Sequence, residues 1–207
     1  MGVWGRLWAF GYEKLGSRMQ KVEGPYRVRI VSDAPGDVLE VGAGTGFNFP
    51  HYRSASKVVA IEPADPMRSR AERRAREASV PLEVRAGGAY PLPFDDESFD
   101  TVVFSLVLCT IPDASRALSE AHRVLRPGGQ LRIYEHVRST DPAIARRQDR
   151  IDFPWRAFNM GCHANRDTLT AIRSAGFDTS GLESFDLIEK GIPKIVRPHL
   201  IGTAAKV

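Results

Sequence analysis

An apolar run, Val38-Leu39-Glu40-Val41, breaks off into three glycines spaced two apart, Gly42-Ala43-Gly44-Thr45-Gly46, and few folds accept that pattern. Glycine takes left-handed backbone conformations without steric cost and lets a ligand approach the chain closely, since no Cβ intervenes. A strand that runs straight into such a turn predicts the ligand-binding end of an open α/β sheet, where the first strand meets the loop that leaves it.

The chain continues in the rhythm that such a sheet needs. Residues 57–61 read as a second strand, 65–79 as a helix, 82–86 as a third strand and 101–106 as a fourth. The fourth, TVVFSL, is almost continuously apolar, as expected of a strand covered on both faces. Residues 115–125 form a helical pattern with Ala117, Leu118, Ala121, Val124 and Leu125 on one stripe, stopped by Arg126-Pro127-Gly128-Gly129. Residues 131–135 then make a fifth strand. Strands alternating with helices predict parallel pairing through right-handed crossovers, a doubly wound, mostly parallel sheet.

Beyond residue 140 the pattern loosens. Residues 140–165 read as aromatic and irregular, 166–175 as a helix ended by Gly176, and two apolar segments at 185–188 and 195–204 close the sheet. The first 30 residues carry Trp4, Trp8, Phe10 and Tyr12 on a helical pattern and are expected to pack as a lid. A chain of 207 residues suits one domain. It divides into the lid (1–30), a ligand-binding core (37–138) and an acceptor-side segment with the closing strands (139–207).

Charge excludes more than it identifies. The formal net charge is +4, and the densest basic group, Arg68, Arg70, Arg73, Arg74 and Arg76, lies opposite Met67, Ala71, Ala75 and Ala78 on one helix. That spacing buries the small residues and leaves the arginines in water. No aromatic residues interleave with them, so no nucleic-acid surface is expected. No apolar run reaches the roughly 18 residues that span a bilayer, so stable membrane insertion is not expected. The N-terminus makes a poor signal peptide, and Cys109 and Cys162 are the only cysteines, which points to a reducing cytoplasm and no disulfide. Nothing in the sequence speaks to oligomeric state.

Two acids define the ligand. Glu62 ends the second strand twenty positions after Gly42, where a carboxylate accepts from both hydroxyls of a ribose. The dinucleotide fingerprint G-x-G-x-x-G needs its third glycine at position 47, which is Phe47 here, so the last glycine comes one position early. Glu40 would repel a pyrophosphate but suits a cationic amino-acid head group. A sulfonium nucleoside, S-adenosylmethionine, therefore fits better than NAD. The competing reading, a tight turn with no ligand, leaves Glu62 unexplained.

With these residues in view, VLEVGAGTG, IEP, PLPFDDESFDTVVFSLVLCTIPD and RVLRPGGQLRIYEHV together resemble the class I S-adenosylmethionine-dependent methyltransferases over residues 37–138. The resemblance implies a Rossmann-like sheet of seven strands, S-adenosylmethionine as methyl donor and S-adenosylhomocysteine as product, with no metal. It implies that Glu40, Gly42, Ala43, Gly44, Thr45, Gly46 and Asn48 surround the methionine moiety, and that Glu62 holds the ribose. Pro63 and Met67 would cover the adenine, Gly87, Gly88 and Ala89 would edge it, and Ser105 and Leu106 would border the methionine and the methyl. One departure stands out: Gly88 occupies the place where many relatives carry an aspartate toward the adenine amino group.

LVLCTIPD, EHVRS, FPWRAFNMGCHAN and VRPHLIG further resemble the methyltransferase-like subgroup whose best-known animal members methylate alkyl thiols. A sulfonium methyl is already activated, so the protein must bring a nucleophile to about 3–3.5 Å and exclude water. A thiol, with a free pKa near 8.5, supplies some thiolate unaided. A hydroxyl acceptor would need a dedicated base. His136, at the end of the fifth strand, is the base candidate, although a histidine there equally serves as a strand cap. His163 lies where acceptor loops fall, while His51, His122 and His199 read as structural or exposed. Cys109 is expected as a small apolar pocket wall. Trp8, Tyr12, Trp155 and Phe158, with Trp4, Phe10 and Phe153, either line an acceptor pocket or fill the core. Cys162 and His163 are adjacent, but with no further clustered Cys/His pair a zinc site is not expected. An oxygen, nitrogen or carbon acceptor on a quinone-like or secondary metabolite, a phospholipid head group, and a non-catalytic nucleotide-binding module are the alternatives.

Overall fold

A computed structural model describes residues 3–159, 161–189 and 192–207, without the side chains of residues 3–10, 12, 15 and 17. Eight strands form one sheet: β1 (Gly36–Val41), β2 (Ala55–Ile61), β3 (Leu82–Arg85), β4 (Phe99–Ser105), β5 (Leu125–His136), β6 (Phe177–Asp178), β7 (Leu182–Asp186) and β8 (Pro198–Lys206). The helices are α1 (Val3–Val31), α2 (Asp65–Ala75), α3 (Ala114–Val124), α4 (Pro142–Phe158) and α5 (Thr168–Ser174). The strand order is β3-β2-β1-β4-β5-β8-β6, with β7 also against β8. Strands β1 to β5 pair in parallel, whereas β8 runs antiparallel to β5 and to both edge strands. Strand order reverses between β1 and β4. At such a reversal, open α/β sheets bind ligands outside the carboxyl ends of the strands.

Two apolar layers clamp the sheet. Leu39, Val41, Val59, Ile61, Phe104 and Ile133 face α3 and α5 in one cluster, with Leu118 and Ile172 of those helices. Val38, Val58, Ala60, Val103, Tyr134 and Ile201 face Ile30 and Val31 of α1 and Ala71 of α2 in the other. Successive residues of β1 enter opposite clusters, as the two-residue period of a strand requires. The α3 stripe forms as expected, with Ala117, Leu118, Ala121 and Val124 all fully buried, and Asp113 caps the helix by accepting from the Arg116 amide at 3.0 Å.

Four local expectations change. Residues 126–129 do not separate helix from strand: β5 begins at Leu125, and its register against β4 jumps from Phe99↔Leu125 to Thr101↔Gln130. The intervening residues bulge out, turning at Gly128 with φ 74°. Residues 140–165 are not irregular, because α4 occupies 142–158, capped by Asp141 accepting from Ala143 and Ile144 and started by Pro142. Only Ala145 and Gln148 of α4 are buried, so no apolar stripe marks it. The helix expected over 65–79 ends at Ala75. The single edge strand of a seven-stranded sheet is broken at 179–181 into β6 and β7, which share β8 end to end.

Helix α1 lies across the glycine loop. A Cβ on Gly16 would meet the Phe47 ring at 2.4 Å, and Glu13 pairs with Arg74 of α2 at 2.6 Å. Phe47, in the place of the fingerprint glycine, is thus a packing surface for α1. Further along, Tyr26 stacks on Tyr134 and Phe185 with ring centroids at 5.4 and 4.8 Å. Trp4, Trp8, Phe10 and Tyr12 have side chains outside the described residues. Among the described residues, no helix is long and apolar enough to cross a membrane. The arginine face of α2 is only partly solvated: Arg73 and Arg76 are exposed, but Arg68 donates to the Glu62 carbonyl at 3.1 Å and Arg74 bonds the Thr45 carbonyl.

Candidate active site

The glycine loop is shaped first by the protein itself. Gly42, Gly44 and Gly46 adopt φ of 70°, 59° and 82°, a region costly for any residue with a Cβ. A Cβ on Gly42 would lie 2.2 Å from Val107, and one on Gly46 would lie 2.6 Å from the Phe49 ring. The amides of Gly42 and Ala43 donate to the Ile61 carbonyl at 2.9 and 3.0 Å, tying the loop to the end of β2. Ala43, Thr45 and Asn48 are buried within it.

Both acids are buried and engaged. Glu62, 6% exposed, accepts from the Gly44 amide at 2.9 Å and from the Ala64 amide at 2.8 Å. Each carboxylate oxygen keeps a further lone pair, so two acceptor sites remain. Burial raises the Glu62 carboxyl, with the Ala64 and Gly44 amides pulling the other way. Glu40, 2% exposed, accepts from Asn48 Nδ2 at 3.0 Å and from the Tyr52 hydroxyl at 2.7 Å. Burial pushes Glu40 up to about 7 against those bonds and the Arg27 charge. Arg27 of α1 completes the network, donating to Asn48 Oδ1 at 3.0 Å, Ser105 Oγ at 3.2 Å and Glu23 at 2.7 Å. Sequence reasoning missed Arg27, Glu23 and Tyr52, which no motif distinguishes from other surface-helix or loop residues.

The residues expected around the adenine differ in burial. Met67 is buried and Pro63 exposed. A Cβ on Gly87 would touch Ile61 at 3.6 Å, whereas one on Gly88 would meet nothing within 4 Å. Ala89 packs on the core beside them.

At the end of β4, Leu106 takes φ 55°, a strained value for a branched side chain, and its amide donates to the Tyr134 carbonyl at 2.7 Å. The turn that follows is held by Glu135, which accepts from the amides of Val107 at 2.7 Å and Leu108 at 2.9 Å. Glu135 is fully buried, and burial pushes it up to about 7 despite those amides. A lone acid inside the apolar run LRIYEHV was the available signal for it.

On the acceptor side the sheet gathers three residues that are far apart in the chain. His136 Nε2 lies 2.9 Å from Cys162 Sγ, and the Trp155 indole donates to the same sulfur at 3.4 Å. Ligand atoms of Cys109, His136 and Cys162 all lie within 4.8 Å of one another. This overturns the expectation that Cys162 has no clustered Cys/His pair: the turn after β4 and the end of β5 are neighbours in the sheet, and the segment after α4 crosses both. Hydrogen bonding with Cys109 and His136 pulls the Cys162 thiol below its ordinary value, although burial opposes it. Burial works against a charged His136, but its bond to Cys162 and the charges of Cys162 and Glu135 hold it above the ordinary histidine value.

A cleft of about 440 Å³ lies next to this group, lined by Thr110, Pro112, Phe153, Arg156, Gly161 and His163 among others. The His163 amide donates to the Cys109 carbonyl at 2.8 Å, and its ring faces Asp152 at 3.4 Å. Cys109 is 2% exposed and lies behind the cleft rather than forming its wall. Trp155 serves Cys162, and Phe158, expected at the acceptor, is 81% exposed and does not line the cleft. Phe153, five residues earlier, does. The side chains of Trp8 and Tyr12 lie outside the described residues. His122 packs edge-on to Phe177 and His199 stacks on Tyr134, structural roles as expected.

Strand order and a glycine loop between two buried acids define a class I methyltransferase. A family model described as a methyltransferase domain matches residues 39–133. Thiol S-methyltransferase TMT1B of Rattus norvegicus is 31% identical over 204 residues, 97% of this chain and 83% of that protein. Phosphatidylethanolamine N-methyltransferase of Cereibacter sphaeroides is 40% identical over 113 residues, 53% of this chain and 56% of that protein. Among solved structures, an S-adenosylmethionine-dependent methyltransferase of Thermotoga maritima matches the fold with a TM-score of 0.66 at 22% identity, over 95% of this chain and 97% of that one. The chain belongs to the S-adenosylmethionine-dependent methyltransferases, in the family that includes TMT1A and TMT1B.

Proposed function

We propose that this methyltransferase moves the methyl of S-adenosylmethionine to the thiol of a small, largely apolar acceptor. The observation that carries this reading is the reach of the similarity. It runs over 97% of the chain, through the acceptor-side half, and not only through residues 39–133. In this reading Glu62 holds the ribose hydroxyls, and the loop from Gly42 to Asn48 surrounds the methionine, with Glu40 as its counter-charge. Pro63, Met67 and 87–89 enclose the adenine, while Ser105 and Leu106 border the methyl.

The acceptor sulfur attacks the methyl carbon in line as the sulfonium carbon–sulfur bond breaks, and that electron pair stays on S-adenosylhomocysteine. His136 is assigned to the acceptor's ionisation, as the base at the end of β5. α1 covers the donor, and the cleft beside His163 admits the acceptor. The two free cysteines support a reducing compartment such as the cytoplasm.

A methyl-transfer assay across thiols, phenols and amines tests the reading, with alkyl thiols expected to react fastest. The local identity to a phosphatidylethanolamine N-methyltransferase favours a head-group amine as the second reading. A faster rate on phosphatidylethanolamine vesicles than on any thiol would establish that alternative in its place.

A further inference from the structure

Behind the cleft floor, Cys109, His136 and Cys162 form a compact group, and we propose that it binds one thiophilic divalent cation, zinc above all. Tetrahedral zinc, with bonds of about 2.3 Å to sulfur and 2.0–2.1 Å to nitrogen, holds its ligand atoms roughly 3.5–3.8 Å apart. The three donors already lie within 4.8 Å of one another, with His136 Nε2 and Cys162 Sγ at 2.9 Å, so adjustments of about 1 Å complete the geometry. Two thiolates and one imidazole are a soft donor set that selects zinc over magnesium or calcium.

The surroundings support a cation. The Cys109 carbonyl accepts from the His163 amide at 2.8 Å, and the Cys162 amide donates to the Asn159 carbonyl at 2.9 Å, so backbone bonds hold both cysteines in place. The Trp155 indole donates to Cys162 Sγ, the outer-shell bond that thiolate ligands commonly accept. The Glu135 carboxyl, buried beside His136, adds negative charge when ionised. Arg166 bonds the carbonyls of Leu108 and Ile111, each at 2.6 Å, and its charge favours the Cys109 thiolate. Binding would displace the protons of both thiols and leave His136 neutral, and the metal would then take over the acceptor's ionisation from it.

Three protein ligands leave a fourth position open, the arrangement of reactive rather than structural zinc. The sequence neighbours of the two cysteines, Thr110, Gly161 and His163, line the cleft, so the open position adjoins the acceptor's route. An acceptor thiol that takes it displaces water, gives its proton to solvent and binds as thiolate, ready to attack the sulfonium methyl. This last step rests on the thiol reading; the metal site does not.

The test uses the whole chain, purified under reducing conditions and loaded with one equivalent of zinc or cobalt. One metal retained per chain after desalting, a sulfur-to-cobalt charge-transfer band, and a melting temperature raised by zinc but not by magnesium are the expected results. Cys109→Ser, Cys162→Ser and His136→Ala should each weaken retention at least tenfold, and His163→Ala should not. No retained metal and no zinc-dependent shift in the unsubstituted protein would overturn the site, without recourse to variants that fold poorly. A Cys109–Cys162 disulfide that forms equally fast with and without zinc would also overturn it. Thiol methylation at an unchanged rate after chelation would overturn the metal's part in the reaction.

Discussion

Arg27 of α1 donates to the Asn48 side-chain oxygen at 3.0 Å, and Asn48 donates in turn to Glu40 at 3.0 Å. A buried guanidinium thus fastens the N-terminal helix to the far end of the glycine loop. Removing one partner of a buried charged pair is costly because the other is left desolvated. Arg27→Ala should therefore destabilise the protein by about 3 kcal/mol in denaturant unfolding and weaken S-adenosylhomocysteine binding. Arg27→Lys should recover only part, since an ammonium cannot reproduce the guanidinium fork that bridges Asn48, Ser105 and Glu23.

Glu62→Gln keeps the side-chain size and replaces one acceptor oxygen with a donor. Calorimetric titration with S-adenosylhomocysteine should show at least a tenfold loss, about 1.4 kcal/mol or more. Undiminished affinity would remove Glu62 from the ribose site.

Glu40 and Glu135 both carry folded-state values of about 7, above their ordinary value of 4.5. The native state therefore binds more protons than the unfolded chain between those values. The stability these groups contribute is whole below about 4.5 and is lost as pH rises through about 7, by up to roughly 3 kcal/mol each. Glu40→Gln should flatten its share of that slope in melts from pH 5 to 8. The cationic donor favours ionised Glu40, so binding at pH 6 should release a proton. Binding heats that do not vary with the ionisation enthalpy of the buffer would contradict this.

The glycines divide by what surrounds them. Gly42→Ala combines φ 70° with a Val107 clash at 2.2 Å and should cost more than about 2 kcal/mol of stability. Gly88→Asp meets nothing within 4 Å, so the fold should tolerate it. The new carboxylate would supply the missing acceptor toward the adenine amino group, and affinity for S-adenosylhomocysteine should rise several-fold. Weaker binding by this variant would place the adenine elsewhere.

Some of the fold was legible because its signals are local. The Val38–Val41 run, the TVVFSL strand and the α3 stripe each declare themselves within a dozen residues, and the structure keeps them. α4 was not legible, since only Ala145 and Gln148 are buried and exposed Phe153 and Phe158 interrupt any stripe. The bulge at 126–129 was read as a boundary because proline and glycine mark both.

The glycine loop and its two flanking acids could be foreseen from residues 40–46 and 62, where spacing along one strand–turn–strand unit sets their position. The groups at their margins could not. Arg27 reaches Asn48 across 21 positions and His136 reaches Cys162 across 26, and neither pair has any local pattern. Those meetings depend on which strands become neighbours and on where α1 and α4 cross them. Side-chain contact between remote residues is a property of packing, and no short window of sequence contains it.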